Sequence, residues 1–591
     1  MLAVMRVLSS ILLLTFISCG DESAQSLPDQ GLPVDASTAD ASQTDLPQEA
    51  LPPGPFVLFL EPGVPTFLFN CATPQPARLR VSSQLEVKSL TLNGLPLPNQ
   101  TGDVEATFVP VPGLNLLTAE VRDVAGRKGR GHRAVLCGQW GQTMVPDAVD
   151  LWLGKAAISS IGRLAAAVFD QTDLNAAFVS MGPLYESDAI RVDPLSVAHA
   201  RGTAISLEPA WDRLVLDTTV YGFEAFVRAE TAEGAVFDIG VVSAQVSLHA
   251  DLLISLGPDG TLVADVETMQ VDLGDVQLIV RGIGDVLDAF PYLRDRIVSA
   301  VGDELASLVK KQVPPLVQSA FARLSEPVPV SLLGKAFVLK FSPSGLKVKP
   351  AGMEVALDVS VLGLEPDPAY SSPGLLVTPE EPELPRPDGL RVAIRDELLN
   401  GVFGEVWRSG LLSLTVDQAF LDQYKVEVTL VAGFLCGLLP ATVDPETPVS
   451  LKVQARLPPV ADVDLPVSGG IRLGFGEVAI DVATADGTPL MSIAATARLD
   501  GEVQPSGPDR VQLLFNALSI VVDASDPALM PQGPDGTVTE LLDSLGPLLG
   551  GMLQAIPLPS LLGFHVANLS VGTLRGGGGT IVMTGDLVEA P

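Results

Sequence analysis

Four histidines, His132, His199, His249 and His565, are the side chains best placed to ligate a metal or move a proton near neutral pH, yet they stand far apart. None has a second ligand type at the spacing a metal site needs. No Gly-x-Ser-x-Gly elbow, phosphate loop with its lysine, or Cys–His nucleophile motif occurs. The Arg575–Thr580 run, RGGGGT, has the glycines to cradle a phosphate but lacks the lysine and the following helix, so it reads as a strand connection. Carboxylates are spread through turns and strand exteriors, and no pair is singled out as acid and base. These patterns point away from an enzyme and call for neither metal nor cofactor. What does recur at functional spacing is apolar: Leu293, Ile297, Val301 and Leu305 in one stretch, Leu399, Phe403 and Trp407 in another. Side chains repeating every three or four residues line one helical face. Their chemistry is the removal of an apolar chain, or of a sheet, from water.

The elements that position these stripes are legible. Residues 390–416 change period twice. Val392 and Ile394 alternate like a half-buried strand, Leu398 to Trp407 follow helical spacing with Asp396 and Glu397 in the first turn, Gly410 closes the helix, and Leu412, Leu414 and Val416 alternate again. A second helix over about 287–308 follows two long strands joined at Pro258-Asp259-Gly260, a hairpin signature. Pro314-Pro315 is expected to kink or divide it, because proline removes backbone donors. A helical stretch is also expected around 151–169. Strands are expected near 426–430, around 453, and over 471–480 and 511–522, and a late helix over 537–559. Strands, a long helix and further strands are what a bent antiparallel sheet wrapped on a helix requires, and the second half repeats the first in outline. The expected fold class is mainly β with long helices (α+β).

Composition sets the setting. The chain has 591 residues, enough for several cores, and is 47% hydrophobic but only 5% aromatic, which favours Val, Leu, Ile and Ala strands. Its formal charge of −34 argues against nucleic acid and against attraction to anionic lipid. At the N-terminus, Arg6, the apolar run from Val7 to Phe16 and small residues up to Cys19 read as an export signal too short to span a membrane. Residues 20–55, acidic and proline-rich with no Lys or Arg, read as a disordered tether. Residues 56–138 read as an all-β module with turns at Asn93-Gly94, Pro112-Gly113 and 123–126. Cys71 and Cys137 bracket it, and in an exported protein two such thiols are expected to pair. Cys436, inside VAGFLCGLL, reads as a buried small hydrophobe.

Three resemblances add to this. Phe16-Ile17-Ser18-Cys19 resembles the lipobox of bacterial lipoproteins, with Phe16 where Leu is usual, which implies acylation of Cys19 and a place in the cell envelope, with the outer membrane preferred. VKSLTLNGLPL and PGLNLLTAEVRDVAGR resemble bacterial immunoglobulin-like domains, which implies a β-sandwich spacer over 56–138. DELLN, VW and SGLL around Asn400 and Gly410, and the IPLP-containing ending, resemble the bactericidal/permeability-increasing protein (TULIP) family of lipid-binding proteins. That likeness implies TULIP-like domains at 146–364 and 390–591 joined by a proline-rich linker at 365–389. It also implies that a lipid or other long apolar molecule is bound, and transferred, in a groove lined by the two stripes. A structural or adhesive envelope protein, in which the same faces close on themselves as filled cores, remains open, because periodicity is the same for a filled and a hollow barrel.

Overall fold

The computed structural model describes residues 54–589 apart from 142–143, 172–173, 181, 200–201, 259, 282–290, 333–334, 378–382, 424–428, 436–438, 440–441, 464–469, 506–509, 525–555, 558–563 and 575–578. Cys19 with the export signal and tether, Cys436, and nearly all of the late helix expected at 537–559 lie outside the described residues. The class is the expected one: mainly β, with long helices wrapped by bent antiparallel sheets.

A three-stranded sheet (Phe56–Glu61, Gln75–Ser82, Gly102–Phe108) faces a five-stranded one that includes Gly113–Asp123 and Lys128–Cys137. Alternate residues such as Val57, Leu79, Val104, Leu117 and Val121 close a sandwich core between them. Asn93 and Gly94 adopt the left-handed backbone of the expected turn. Cys71 and Cys137 form a disulfide with Cα atoms 5.7 Å apart.

A seven-stranded sheet forms the middle of the molecule. Its central strand, Met144–Gly154, pairs antiparallel with Gly352–Leu362 on one side and with Leu390–Arg395 on the other. The two expected domains therefore share one sheet, with strands from both sides of the 365–389 connector. Residues 151–154 are strand and not the start of a helix; the helix is Lys155–Gln171. The reason is burial on both faces: a strand covered on each side carries an unbroken apolar run, and LWL matches that as well as it matches a helix.

The N-terminal unit is a second seven-stranded sheet dominated by Arg213–Thr231 and Val236–Leu256. Helices Lys155–Gln171, Leu174–Val179 and Pro291–Ala322 pack on it. Pro314 and Pro315 lie inside the last, which runs on through them. Lys310 and Lys311, whose carbonyls lose their donors, are exposed, so water can satisfy those oxygens and the helix need not end. The C-terminal unit curls a third seven-stranded sheet, from Ser413–Val416 to Ile556–Pro557, over its own core of Leu421, Val449, Val482, Met491 and Ile493. It contains a strand that periodicity missed, Pro489–Pro505.

The Asp396–Arg408 helix sits between these bodies. It starts and stops where the sequence indicates, with Gly410 at φ +71 just beyond it. It is not a surface helix with one covered face: eleven of its residues are buried, among them Asp396, Glu397, Asn400 and Glu405. The central sheet, the short strand Leu375–Val377 and the strand Val460–Asp462 enclose it.

Candidate functional site

The apolar pocket of the N-terminal unit is made by a change of phase in its two longest strands. Along Arg213–Thr231 the buried positions are Leu214, Leu216 and Thr218, and then, beyond Tyr221 and Gly222, Phe223, Ala225 and Val227. Along Val236–Leu256 the same switch occurs between Ser243 and Val246. The switches lie opposite one another, since Val220 pairs with Val246 and Phe223 with Ser243. Gly222 takes φ +64 there, a backbone that a side chain would strain. At this place the inward side chains cannot keep even spacing, and a cavity of about 40 Å³ remains.

Phe169, Phe178 and Val309 from the three helices close this cavity over Val220, Phe223, Val246, Leu248 and Val271 of the sheet. Thr218 is the single polar residue among its ten lining residues. Such walls offer no acid, base or nucleophile. They can exclude water and hold methylene groups, each worth about 0.8 kcal/mol on leaving water.

Ile297 and Val301 are 2% and 0% exposed and pack into the core beside this pocket without lining it. The backbone of Leu293 and Leu305 lies on the same helix, while their side chains fall outside the described set. Leu399 and Phe403 are buried in the central core. Trp407 stacks edge-on with Tyr370 at 5.3 Å and donates from Nε1 to the Ala455 carbonyl at 2.7 Å. These three pack as solid core, so the Asp396–Arg408 helix does not line the apolar pocket. The stripe reasoning missed Phe169, Phe178 and Val309. Val309 was findable, because it continues the Leu293 to Leu305 spacing by four residues; the phenylalanines carry no comparable signal.

Two buried polar groupings stand apart from the pocket. On one face of the central sheet Arg391, 0% exposed, bonds the Asp150 carboxylate and donates to the Pro385 carbonyl at 2.7 Å, while Trp152 donates to the Pro387 carbonyl at 2.8 Å. The proline-rich connector is thus pinned to the sheet. Burial pushes the Asp150 carboxyl up to about 6, outweighing the attraction of Arg391, and burial likewise lowers Arg391. In the second grouping, at the start of the Asp396–Arg408 helix, burial and then the carboxylates of Glu397 and Asp462 hold Asp396 well above the usual range. Asn400 anchors the same turn by accepting from the Ala461 amide at 2.7 Å. Of the histidines, His132 is half-buried in the sandwich and His249 meets Asp217 at 2.7 Å, and no cluster of three or more metal-ligand side chains exists among the described residues.

No protein-family model matches the chain, and no curated protein matches it. Among solved structures, the chain is similar over 76% of its length, and over all of that chain, to a lipopolysaccharide binding protein at 13% identity and TM-score 0.47. It also matches P47 of Clostridium botulinum A2 over 75% of its length and 98% of that chain, at 9% identity and TM-score 0.25. P47 of Clostridium botulinum E1 matches over 75% and 100% at 8% identity and TM-score 0.23. All three scores lie below 0.5, and the functional reading accordingly rests on the walls of the pocket.

Proposed function

We propose that this chain is an envelope lipoprotein, tethered through an acylated Cys19, that binds a lipid or similar long apolar molecule in the N-terminal unit. The observation that carries the reading is the pocket at the phase change: apolar on nine of ten lining residues, roofed by three helices, floored by a bent sheet. At about 40 Å³ it admits only a few methylene groups as it stands. An acyl chain would enter by parting the helices from the sheet, and burying about a dozen methylenes would contribute on the order of 10 kcal/mol before ordering costs. The TULIP-like arrangement of two sheet-wrapped units, transfer of the lipid, and an immunoglobulin-like nature for the sandwich belong to the same proposal. So does the outer-membrane location.

The dense packing of Ile297, Val301, Leu399, Phe403 and Trp407 favours a second reading, a structural or adhesive envelope protein with filled cores. Organic extraction and mass spectrometry of the purified chain separates the two. Co-purifying lipid at a fixed ratio to protein is expected from the first reading, and none from the second.

A further inference from the structure

A larger cavity, about 770 Å³, opens where the sandwich meets the C-terminal unit. That lies within the volumes that hold small-molecule ligands, roughly 300–1,000 Å³. The contact that creates it is fixed by specific residues. The buried Glu477 carboxylate accepts from the Ala134 amide of the sandwich at 2.7 Å. Leu114 of the sandwich lies against Gly474, where a Cβ would stand 2.6 Å from the leucine Cδ2.

The two sides of the cavity differ in chemistry. On the sandwich side Phe69 is 70% exposed, yet its ring is braced edge-on by Trp140 at 6.4 Å, and Trp140 is itself tied through Nε1 to the Leu68 carbonyl at 3.2 Å. An edge contact leaves a face of the Phe69 ring uncovered. Next to it, Asn70 uses only Oδ1 of its side chain, on the Ala72 amide at 3.0 Å, and the side chain of Gln139 makes no hydrogen bond among the described residues. On the C-terminal side the floor is ionic but balanced. Arg472 is held by both oxygens of Asp500, at 2.6 and 3.3 Å, and lies opposite Asp462 in the sheet. Arg498, half-buried and opposite Gly474, makes no ion pair or hydrogen bond among the described residues. Two arginines thus stand with two aspartates. Asp396 borders the cavity too, but burial holds its proton on, so its carboxyl adds no charge.

We propose that this junction cavity binds a neutral saccharide, with one sugar ring stacked on Phe69 and its hydroxyls bonded to Asn70, Gln139 and Arg498. The walls select that class by what they would do to the others. An acyl chain would take Arg498 and the two amides out of water with nothing to bond. An ionic ligand would meet charges of both signs, since each arginine on the floor is matched by an aspartate, and so gains little net attraction. A sugar meets both sides. Each hydroxyl donates and accepts, which suits arginine N–H groups and amide oxygens alike. The C–H face of its ring lies well on the negative face of an aromatic ring, and Val111, 61% exposed, extends the apolar rim.

The site is distinct from the apolar pocket and stands without it. Titration of the full purified chain, followed by saturation-transfer NMR, tests it. The neutral probes are maltotriose, mannotriose and tri-N-acetylchitotriose; protonated chitotriose is the cationic probe and trigalacturonate the anionic one. At least one neutral trisaccharide is expected to bind at least tenfold more tightly than either charged one. Phe69→Ala and Arg498→Gln are each expected to weaken that binding at least fivefold. Melting temperature checks that both variants fold, and Gln139→Ala, with the same expected loss, replaces either one that does not. Absence of binding by all three neutral probes, equal or tighter binding of a charged one, or unchanged affinity in a folded variant would overturn the proposal. Val309→Phe, which acts on the other pocket, should leave these affinities unaltered, so failure of the lipid reading and failure of this one are told apart.

Discussion

Filling the apolar pocket should separate lipid binding from stability. Val309 is 5% exposed and lines the cavity, and Val309→Phe adds four ring carbons against an open volume of about 40 Å³. Because that volume is already present, the ring displaces little existing structure, and the change in stability should stay within about 1.5 kcal/mol. Ile297, three turns earlier on the same helix and 2% exposed, is the contrasting position, since it packs into the core without lining the cavity. Ile297→Gln loses about 2 kcal/mol of apolar burial and strands an amide at a further cost of about 1–3 kcal/mol. For a unit of this size that amounts to a melting-temperature drop on the order of 10 °C.

The assay pairs melting temperature with lipid content, measured by mass spectrometry on the folded fraction. Val309→Phe should melt within a few degrees of the parent and carry severalfold less lipid, whereas Ile297→Gln, and Phe403→Gln in the central core, should melt early with unaltered lipid per folded molecule. Parent-level lipid in a stable Val309→Phe protein would show that the pocket is not the binding site. Depleted lipid with an unmoved melting temperature in Ile297→Gln would shift the site to the packed stripe.

Three further outcomes follow from named residues. Cys19→Ser should abolish acylation and detergent partitioning, as read by intact mass and phase separation; a variant that stays with the membrane contradicts the anchor. Reducing the Cys71–Cys137 bridge, 66 residues apart in sequence, should cost the sandwich about 4 kcal/mol, read as a lower denaturation midpoint for that unit. Asp150 has an opposite sign to most structural carboxylates. Its pKa is about 6 when folded against 3.8 ordinarily, so folding takes up a proton, and its contribution is full below about pH 4 and lost as pH rises through 6. The stability difference between parent and Asp150→Asn should therefore change by about 3 kcal/mol across that window. Arg391, Glu354 and Arg386 are the charged groups around it. His132, held down to about 4 by burial, works against this slope: its contribution is full above about pH 6.5 and lost as pH falls toward 4. The variant difference, and not the raw curve, is the readout; a flat difference refutes the assignment.

What could be read before the structure, and what could not, divides along the range of the interactions involved. The strand, helix and strand over 390–416 were legible because each is fixed by local period and by Gly410 at its end. The hairpin at Gly260 was legible for the same reason. The error at residues 151–154 has a different origin. An apolar run carries no period when both faces are covered, and the elements packed on this strand include the Asp396–Arg408 helix, more than two hundred residues away in sequence. The same distance hid the shared central sheet and turned an expected connector into a pinned strap, since the partners of Pro385 and Pro387 are Arg391 and Trp152. It also hid the apolar pocket, which exists because two strands change phase at the same level; that coincidence has no signature in any single segment. Polar residues inside an apolar helix were the clue available. Asp396, Glu397, Asn400 and Glu405 suit the solvent face of a surface helix, but an Asn among Leu398, Leu399 and Phe403 is equally what a helix needs when another strand must be anchored to it. In this fold Asn400 anchors Ala461, and Asp396 is buried at the start of the same helix.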